Sequence, residues 1–435
     1  CNHNLLLADL IHRSQKKKPI LQDSAVYIID ESHKLPETAR QMFGTTLTAG
    51  SIRTLIRSLH TERYVLAAEL LDEAAAALLA KLEIPVEEGA GFEPYHALLA
   101  KPNDTLKVIS RQLEGLLTRE TWRQLMSASS AVSLFYEGNP DMVFYAADDD
   151  RGGAMLCGTV SDLASQLRQT MWRIEQPIIL TSGTLAVGQD FSRFRAAAGL
   201  TGERRVTESV TPSPFDYRQN CLLFLPRDPY RLEQADYYDK LAGQIRELAT
   251  ASHGHALVLF TSYIALSAVK DRLRDLEMPY PVFVMGRNPS RTLGEFRSAP
   301  GSILLATGAA WEGMDFAGDG VSMLIIPRLP FAYPDAVKEK ERGNYPDLRS
   351  FLTSVIVPEM QIKLRQGFGR AIRTETDTCV VAVLDPRAAR GRRYYPSLRD
   401  ALPDMPVTGS LREVRQFYLA RKGRDYFNGP LREVC

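Results

Sequence analysis

The chain has 435 residues, of which 45% are hydrophobic and 24% charged, and its formal net charge at pH 7 is +1. This length is too great for one ordinary core and predicts two or three domains. The composition indicates a soluble globular protein, and no apolar run approaches the roughly 18 residues that a membrane span needs. Residues 386–435 hold eleven Arg or Lys against five Asp or Glu. This basic end is compatible with phosphate contacts and equally with a solvated surface helix.

The five cysteines are scattered and form no C-x-x-C pair, so the sequence predicts neither a zinc site nor a disulfide framework. A reduced, cytoplasmic protein is the plain interpretation. The chain opens with Cys1 instead of Met and shows no signal-peptide pattern. We therefore expect it to be a piece of a longer protein.

The predicted secondary structure changes along the first 160 residues. Residues 25–29 predict a strand, and residues 51–134 predict helices because Ala and Leu recur at helical spacing. Two strand-like runs then follow at 142–147 and 154–160. After them, Ser161 is expected to cap a helix that runs to about Arg173.

Beyond residue 175, short apolar strands alternate with helical stretches, which indicates parallel strands covered on both faces. The expected strands lie at 178–180, 256–260, 282–285, 302–306, 323–326 and 379–384. The fold class is therefore α/β with a mostly helical insertion. The predicted domains are a partial α/β unit (1–43), the insertion (44–157), a return to the first unit (158–205) and a complete second α/β domain (206–435).

The run AVYIIDESHK places two adjacent carboxylates, Asp30 and Glu31, at the end of an apolar strand. One carboxylate at a strand end can hold the water shell of Mg²⁺. Its neighbour can then orient and deprotonate the water that attacks a γ-phosphate. The alternative is a helix-capping pair beside a solvated loop.

Other strand ends carry Ser, Thr and Gly, where functional groups collect in open parallel sheets. The segments are TSGTL at 181–185, TSY at 261–263 and TGAAWEGMD at 307–315. Each is also an ordinary turn sequence when taken singly, because these residue types favour turns.

Residues 361–373 read QIKLRQGFGRAIR and predict an amphipathic helix. Core positions recur at i, i+4, i+7 and i+8, namely Leu364, Phe368, Ala371 and Ile372. A second row with the same spacing is shifted by two residues, about 200° around the helix; it holds Gln366, Arg370 and Arg373. A row of guanidinium groups suits a triphosphate, although solvated arginines on helices are common.

Taken in order, these segments resemble the motor motifs of superfamily 2 helicases, and most closely the DinG/XPD branch, the iron–sulfur helicases. The matching segments are DESH, TSGTL, SPFDY, VLFTSY, ATGAAWEGMDFAG, RLPF and QGFGRAIR, with NHNLLLAD at the start of the chain. The resemblance spans nearly the whole chain. It implies two RecA-like motor domains, the first incomplete, with an arch-like insertion.

The resemblance also implies roles for individual residues. Asp30 would hold Mg²⁺ through water, Glu31 would activate the attacking water, and His33 would couple this site to the other motifs. The residues implied at ATP from the second motor domain are Gln366, Arg370 and Arg373, with one arginine as a finger, together with Glu312, Gly313 and Asp315. The residues implied at DNA are Ser182, Thr184, Ser262, Thr307, Trp311 and Arg328, with Trp311 either stacking on bases or packing in the core.

Two departures from the family stand out. Motif II usually reads DEAH and here reads DESH, a change at Ser32 that we expect to be tolerated. More seriously, a phosphate-cradling loop needs G-x-x-x-x-G-K-[ST], and residues 1–435 contain no Gly-Lys dipeptide. The family places that loop, and the cysteines of a 4Fe-4S cluster, ahead of the NH-x-L-L segment. Cys1 does not occupy a usual cluster position and is expected not to bind iron.

The leading hypothesis is therefore the C-terminal portion of an ATP- and Mg²⁺-dependent DNA helicase. Its expected activity is 5′→3′ translocation on single-stranded DNA, acting on DNA junctions, as a monomer and without a membrane. The chain alone is predicted to bind ATP poorly and not to hydrolyse it. One alternative is a truncated, catalytically silent DNA-binding or regulatory protein. A second is a helicase-derived nuclease partner, and the least favoured is a nucleotide-binding metabolic enzyme.

Overall fold

The structure, a computed structural model, describes residues 1–86, 91–149, 153–227, 231–286, 289–311, 314, 316, 318–332, 335–370 and 372–428. Its strands, in chain order, are β1 Tyr27–Ile29, β2 Thr45–Thr48, β3 Met142–Asp148, β4 Ala154–Val160, β5 Ile178–Leu180, β6 Cys221–Phe224, β7 Ala256–Leu259, β8 Val282–Val284, β9 Ile303–Ala306, β10 Met323–Ile326, β11 Cys379–Val383 and β12 Val407–Thr408. Within these described ranges, no helix has both the length and the apolar character that a bilayer crossing requires.

The α-helices, in chain order, are α1 His3–Ser14, α2 Leu35–Met42, α3 Ala49–Thr61, α4 Val65–Leu82, α5 Glu93–His96, α6 Ala100–Gln112, α7 Arg119–Glu137, α8 Leu163–Thr170, α9 Ser192–Ala198, α10 Tyr217–Asn220, α11 Tyr237–Ala251, α12 Tyr263–Asp275, α13 Pro289–Arg297, α14 Ala336–Arg342, α15 Leu348–Phe351, α16 Val357–Phe368, α17 Tyr395–Ala401 and α18 Leu411–Leu419. Short 3₁₀ turns lie at Ser32–Lys34, Gly308–Trp311 and Pro386–Ala388, among others.

The chain divides into two compact units. The first unit comprises Cys1–Ser182, Phe194–Arg204 and Pro334–Leu348, and the second comprises Gly183–Arg193, Arg205–Tyr333 and Arg349–Cys435. The predicted helical insertion belongs to the first unit. The grouping departs from the predicted boundaries at two places, since 183–193 joins the second unit and 334–348 joins the first.

In the first unit, the segment 44–160 has its own core. Helix α4 buries Ala68, Leu71, Ala75, Leu78 and Leu82, whose spacing of three and four residues places them on one face. This face packs with α3, α6 and α7 and with a three-stranded antiparallel sheet of order β2-β4-β3. The insertion is thus mostly helical, as predicted, but it also carries a small sheet whose strand β2 was not predicted.

The other sheet of the first unit pairs β1 with β5 in parallel, with Ile28 opposite Ile179 and Ile29 opposite Leu180. Ile29 is buried against α1, α2 and α8. Ile28 and Ile179 are 68% and 49% exposed, because the described elements cover one face of this sheet. The expectation that the 178–180 strand is covered on both faces is therefore wrong, and β1 is likewise exposed on its second face.

The second unit holds a seven-stranded, wholly parallel sheet of order β12-β6-β11-β10-β7-β9-β8. Alternate residues of β7 enter two separate cores, Leu257 and Leu259 on one face and Ala256 and Val258 on the other. This two-sided burial explains the continuous apolar runs in the sequence and confirms the predicted α/β fold.

Two details differ from the sequence predictions. Helix α8 is capped by Asp162, whose carboxylate accepts from the Ser165 N–H at 2.9 Å, and not by Ser161. The Ser161 hydroxyl instead donates to the Asp141 carbonyl. Strand β6 was missed because its apolar run CLLFL is short, is followed at once by Pro226 and Arg227, and shows no periodicity.

Candidate nucleotide and nucleic-acid sites

Asp30 stands directly after β1 with its carboxylate held in place by two donors. Its Oδ1 accepts from the Thr181 hydroxyl at 2.8 Å and from the Glu31 N–H at 2.9 Å. Thr181 follows β5, the parallel neighbour of β1, so strand pairing brings the two segments together. The hydroxyl of Thr181 and then the N–H of Glu31 hold the pKa of the Asp30 carboxyl below its usual range. The group is thus exposed and anionic, as an outer-shell ligand of Mg²⁺ must be.

Glu31 has a left-handed backbone, with φ of 49° and ψ of 38°, which is uncommon for a residue with a side chain. It precedes the 3₁₀ turn Ser32–Lys34 but makes no side-chain capping hydrogen bond. The capping alternative for this carboxylate pair therefore receives no support. A strained backbone of this kind is often found where a side chain must be aimed at a ligand.

Ser32 is fully buried, and its hydroxyl donates to the Ile29 carbonyl. That carbonyl also accepts the N–H of Thr181 at 2.9 Å. The Ser32 side chain therefore bonds the 3₁₀ turn to strand β1 and makes no hydrogen bond with the two exposed carboxylates. That DESH serves in place of DEAH stays a prediction.

His33 joins the two segments of the first unit. Its Nδ1 lies 2.8 Å from the Ser182 hydroxyl and 3.2 Å from a carboxylate oxygen of Glu31. A single imidazole nitrogen thus contacts both the carboxylate pair and the TSGT segment. The coupling role of His33 stays a prediction, and these two contacts are the geometry on which it rests.

His3 was missed as a site residue, although it lies in the NH-x-L-L segment. Asn2 caps α1 by accepting the Leu5 N–H, and the His3 Nε2 then lies 2.8 Å from the Asp30 carbonyl. The adjacent Asn-His pair, with a cap followed by a helix, was the signal available in the sequence. The opening helix therefore supports the backbone of the carboxylate pair.

Replacing Thr181 with Val is expected to raise the pKa of the Asp30 carboxyl toward its ordinary value, because the largest stabilising hydrogen bond to its charged form is lost. Carbon-detected NMR titration of the Asp30 carboxyl measures this change. Thr170→Val is the matched control, since the Thr170 hydroxyl bonds the Gln166 carbonyl in α8. An unchanged Asp30 titration in Thr181→Val would contradict the assigned hydrogen bond.

In the second unit, the predicted helical row of Gln366, Arg370 and Arg373 is wrong. Helix α16 ends at Phe368, and Gly369 is its C-cap. Gln366 is buried at 8% exposure, while Arg370 and Arg373 follow the helix in an irregular segment. Gly367 and Gly369 give this segment a low helix propensity, which agrees with a helix that does not continue to Arg373.

The two arginines are nevertheless brought together by a shared acceptor. Nη1 of Arg370 donates to the Met314 carbonyl at 2.6 Å and Nη2 of Arg373 to the same carbonyl at 3.4 Å. The predicted core residues Leu364, Phe368 and Ile372 are buried, whereas Ala371 lies outside the described residues. The two guanidinium groups thus meet at Met314, in the loop after β9, and not along one face of a helix.

Trp311 is a core residue, with 1% of its surface exposed. Its indole N–H donates to the Phe260 carbonyl at 2.9 Å. A Cβ on Gly367 would come within 2.8 Å of the indole ring, so α16 packs closely on it. Of the two alternatives for Trp311, the structure supports packing and offers no ring face for a base.

The other predicted DNA contacts lie at several strand ends. Ser262 is exposed and caps α12 by accepting the Ala265 N–H. It therefore has the ordinary structural role that its residue type favours at a turn. Thr307 and Thr184 are largely buried. Arg328, after β10, packs its guanidinium over the Tyr237 ring, 4.8 Å from the centroid. Ser182 faces His33 as described above.

Three predicted residues, Glu312, Gly313 and Asp315, lie outside the described residues. Where the structure describes the chain, no group of three His, Cys, Asp or Glu side chains is arranged to hold a metal ion. Cys157, Cys221 and Cys379 are buried on separate strands, and Cys1 is exposed at the start of the chain. These cysteines do not fit an iron–sulfur cluster, which needs four converging thiolates.

Comparison with known proteins matches residues 245–405 to the helicase C-terminal domain family. The chain is 28% identical to the ATP-dependent DNA helicase YoaA of Escherichia coli, over 96% of this chain and 68% of that protein. It is 30% identical to the ATP-dependent helicase DinG of Mycobacterium tuberculosis, over 66% of this chain and 44% of that protein. The 3′-5′ exonuclease DinG of Bacillus subtilis is 24% identical over 96% of this chain and 53% of its own length.

Solved structures show the same fold. An apo XPD structure superposes with a TM-score of 0.58 at 16% identity, covering 92% of this chain and 80% of that chain. Xpd4 of S. tokodaii gives a TM-score of 0.58 at 16% identity, covering 94% and 81%. The helicase C-terminal domain match, the YoaA and DinG relatives and the XPD fold together support a superfamily 2 helicase. Within that class they support the DinG/XPD type, the resemblance predicted from the motifs.

Proposed function

We propose that this chain is the motor portion of a DinG-like, ATP-dependent DNA helicase that translocates 5′→3′ on single-stranded DNA. The observation that carries the proposal is the contact of His33 with both Glu31 and Ser182. A coupled motor needs its hydrolysis site to sense a second segment, and one imidazole nitrogen between the two segments supplies that link. The DNA helicase relatives support the substrate class.

In this proposal the carboxylate pair of the first unit has two roles. Asp30, kept anionic by Thr181, holds the water shell of Mg²⁺ when the ion is bound with ATP. Glu31 orients the attacking water and accepts its proton. Glu31 suits this role because it is 59% exposed and its left-handed backbone leaves the side chain free of a capping bond.

The proposed triphosphate contacts of the second unit are Arg370 and Arg373, with Gln366 positioning the segment from inside α16. Their side chains converge on the Met314 carbonyl. Arginine suits triphosphate binding because its planar fork matches the geometry of phosphate oxygens. Glu312, Gly313 and Asp315 are proposed nucleotide-site residues on the resemblance alone.

For DNA, we propose that Ser182, Thr184, Ser262, Thr307 and Arg328 lie along the path of a single strand or a junction. Exposed Ser262 is the best supported of these, because its hydroxyl stands at the carboxyl end of β7. The protein is proposed to act as a cytoplasmic monomer. A 4Fe-4S cluster is proposed on the family resemblance alone, since the described cysteines do not fit one.

The test of hydrolysis uses a longer protein that carries this chain together with a phosphate-binding loop. There, Glu31→Gln is expected to lower single-strand-dependent ATP hydrolysis by roughly 10²- to 10⁴-fold, the usual effect of removing a general base. Glu37→Gln is the matched control, since Glu37 is an exposed glutamate in the first turn of α2. Equal rates in both variants would contradict the catalytic role of Glu31.

The 435-residue chain alone is expected to show no DNA-stimulated ATP hydrolysis, because the sequence contains no Gly-Lys dipeptide to cradle the β- and γ-phosphates. A coupled phosphate-release assay with Mg²⁺, ATP and oligo-dT measures this rate. A DNA-stimulated rate that Glu31→Gln abolishes would overturn the prediction. Retained DNA binding without hydrolysis would agree with the silent DNA-binding alternative for the isolated chain.

A further inference from the structure

The turn that follows β11 is rich in arginine and lacks acidic residues. Between Asp385 and Asp400 the sequence holds five arginines and no Asp or Glu. The turn arginines, which lie between the 3₁₀ turn Pro386–Ala388 and helix α17, are Arg390, Arg392 and Arg393. All three are exposed. None of the helicase motifs in the sequence includes them.

The five arginines of this segment differ in their partners. Arg387 pairs with the buried Asp385 at 2.7 Å, and Arg399 pairs with Asp404 at 2.9 Å, so both charges are balanced inside the unit. The three turn arginines form no ion pair with a carboxylate among the described residues. Their three positive charges are therefore left to solvent or to a bound anion.

Two of the turn arginines are nevertheless held in place. Nη2 of Arg390 donates to the Val407 carbonyl at 3.0 Å. The guanidinium of Arg393 lies over the Tyr394 ring, 5.2 Å from its centroid. These contacts reduce the freedom of both side chains without using up their charge. A pre-oriented, unpaired guanidinium loses less entropy on binding a phosphate than a freely moving one.

The position in the sheet also suits a polyanion. β11 lies between β6 and β10, and arginines follow the carboxyl ends of both neighbours, exposed Arg227 after β6 and Arg328 after β10. The next strand is β7, and Ser262 follows its carboxyl end. Parallel strands end at one edge of the sheet, so these residues share the edge where ligands bind in open α/β sheets.

We propose that the turn arginines Arg390, Arg392 and Arg393 bind backbone phosphates of single-stranded DNA at this edge. The inference rests on the proposed function and extends it, because it assigns part of the DNA affinity to a segment outside the helicase motifs. Each contact releases a counterion from the strand, so the three residues contribute to the salt dependence of binding and carry no sequence preference.

The test compares the 435-residue chain with a triple Ala variant of the turn arginines. Binding of fluorescein-labelled oligo-dT is followed by anisotropy over a range of NaCl concentrations. The slope of log K against log salt is expected to become shallower by about 2, since each phosphate contact to a single strand adds roughly 0.7. Affinity at low salt is expected to fall at least about tenfold.

The matched control removes three exposed positive charges from the outer helices α11 and α12, with Arg246, Lys270 and Arg274 changed to Ala. Its salt slope is expected to stay close to that of the unaltered chain. A triple Lys variant of the turn arginines keeps the charge and is expected to keep the slope, which separates charge from a folding defect.

The outcomes distinguish the two proposals. If the unaltered chain binds oligo-dT and the triple Ala variant shows the same affinity and slope, the turn arginines are not phosphate contacts and the proposed function is untouched. If the slope of log K against log salt becomes as shallow in the control variant as in the triple Ala variant, the effect depends on net charge alone and the inference is overturned. If the unaltered chain does not bind oligo-dT at all, the DNA part of the proposed function fails with it.

Discussion

Gly254→Ala is expected to lower the free energy of unfolding of the second unit by about 3 to 5 kcal/mol. Gly254 has a φ of +87°, and a Cβ at this position would come within 2.0 Å of the Gly301 carbonyl oxygen. Both groups belong to the backbone, at the turns that lead into β7 and β9, so neither can rotate away. The new methyl group forces those two turns apart at the start of two central strands of the sheet.

Hydrogen-exchange mass spectrometry of the β7 and β9 peptides measures the effect as a loss of protection in the second unit. Gly243→Ala is the matched control, because Gly243 lies within α11 and a Cβ there meets nothing within 4 Å. That change is expected to stabilise the unit by about 0.5 to 1 kcal/mol, since Ala is a better helix former than Gly. Equal protection in the two variants would contradict the close approach of Gly254 to Gly301.

Asp385→Ala is expected to cost about 1 to 3 kcal/mol, the range for leaving a buried N–H without its hydrogen-bond partner. Asp385 is 1% exposed, and its carboxylate accepts from the Leu329 N–H at 2.9 Å and from the Arg387 guanidinium at 2.7 Å. Arg387 in turn lies over the Phe331 ring. Alanine leaves the Leu329 N–H and the Arg387 guanidinium without this acceptor, so the connection between the ends of β10 and β11 is lost.

Urea denaturation followed by circular dichroism measures this loss as a lower transition midpoint. Asp404→Ala is the matched control, because Asp404 also bonds arginines, Arg218 and Arg399, but is 58% exposed. A surface pair of this kind is worth under about 1 kcal/mol. If both variants melt alike, the buried pair at Asp385 does not hold the two strand ends together.

Sequence patterns predicted most strands of the second unit, because these are short apolar runs that two cores cover. β10 has the predicted ends, and β7 and β11 differ from prediction by one residue, whereas β6 and β12 were missed. Leu257 and Val258 lie in opposite cores, so the run shows no alternation and still had to be a buried strand. The same reasoning failed at Ile28, since an apolar run does not reveal which face of a strand is covered.

The residues of the candidate site were likewise predictable from the sequence only in part. The identity and order of Asp30, Glu31 and His33 could be read from the motif, because their residue types carry the chemistry. The row of Gln366, Arg370 and Arg373 could not, because it assumed that α16 continues past Gly369. Gly369 is its C-cap, and a helical projection applies no further than the helix does.

The sequence by itself determined the fold class, the motif order and the family, since these depend on local residue types and on apolar periodicity. Only the tertiary structure decided which side chains meet. Thr181 reaches Asp30 and Ser182 reaches His33 across about 150 residues of chain, because β1 and β5 pair in parallel. Trp311 is buried because Phe260 and Gly367 enclose it. Contacts between distant segments depend on strand pairing and packing, which no local pattern records.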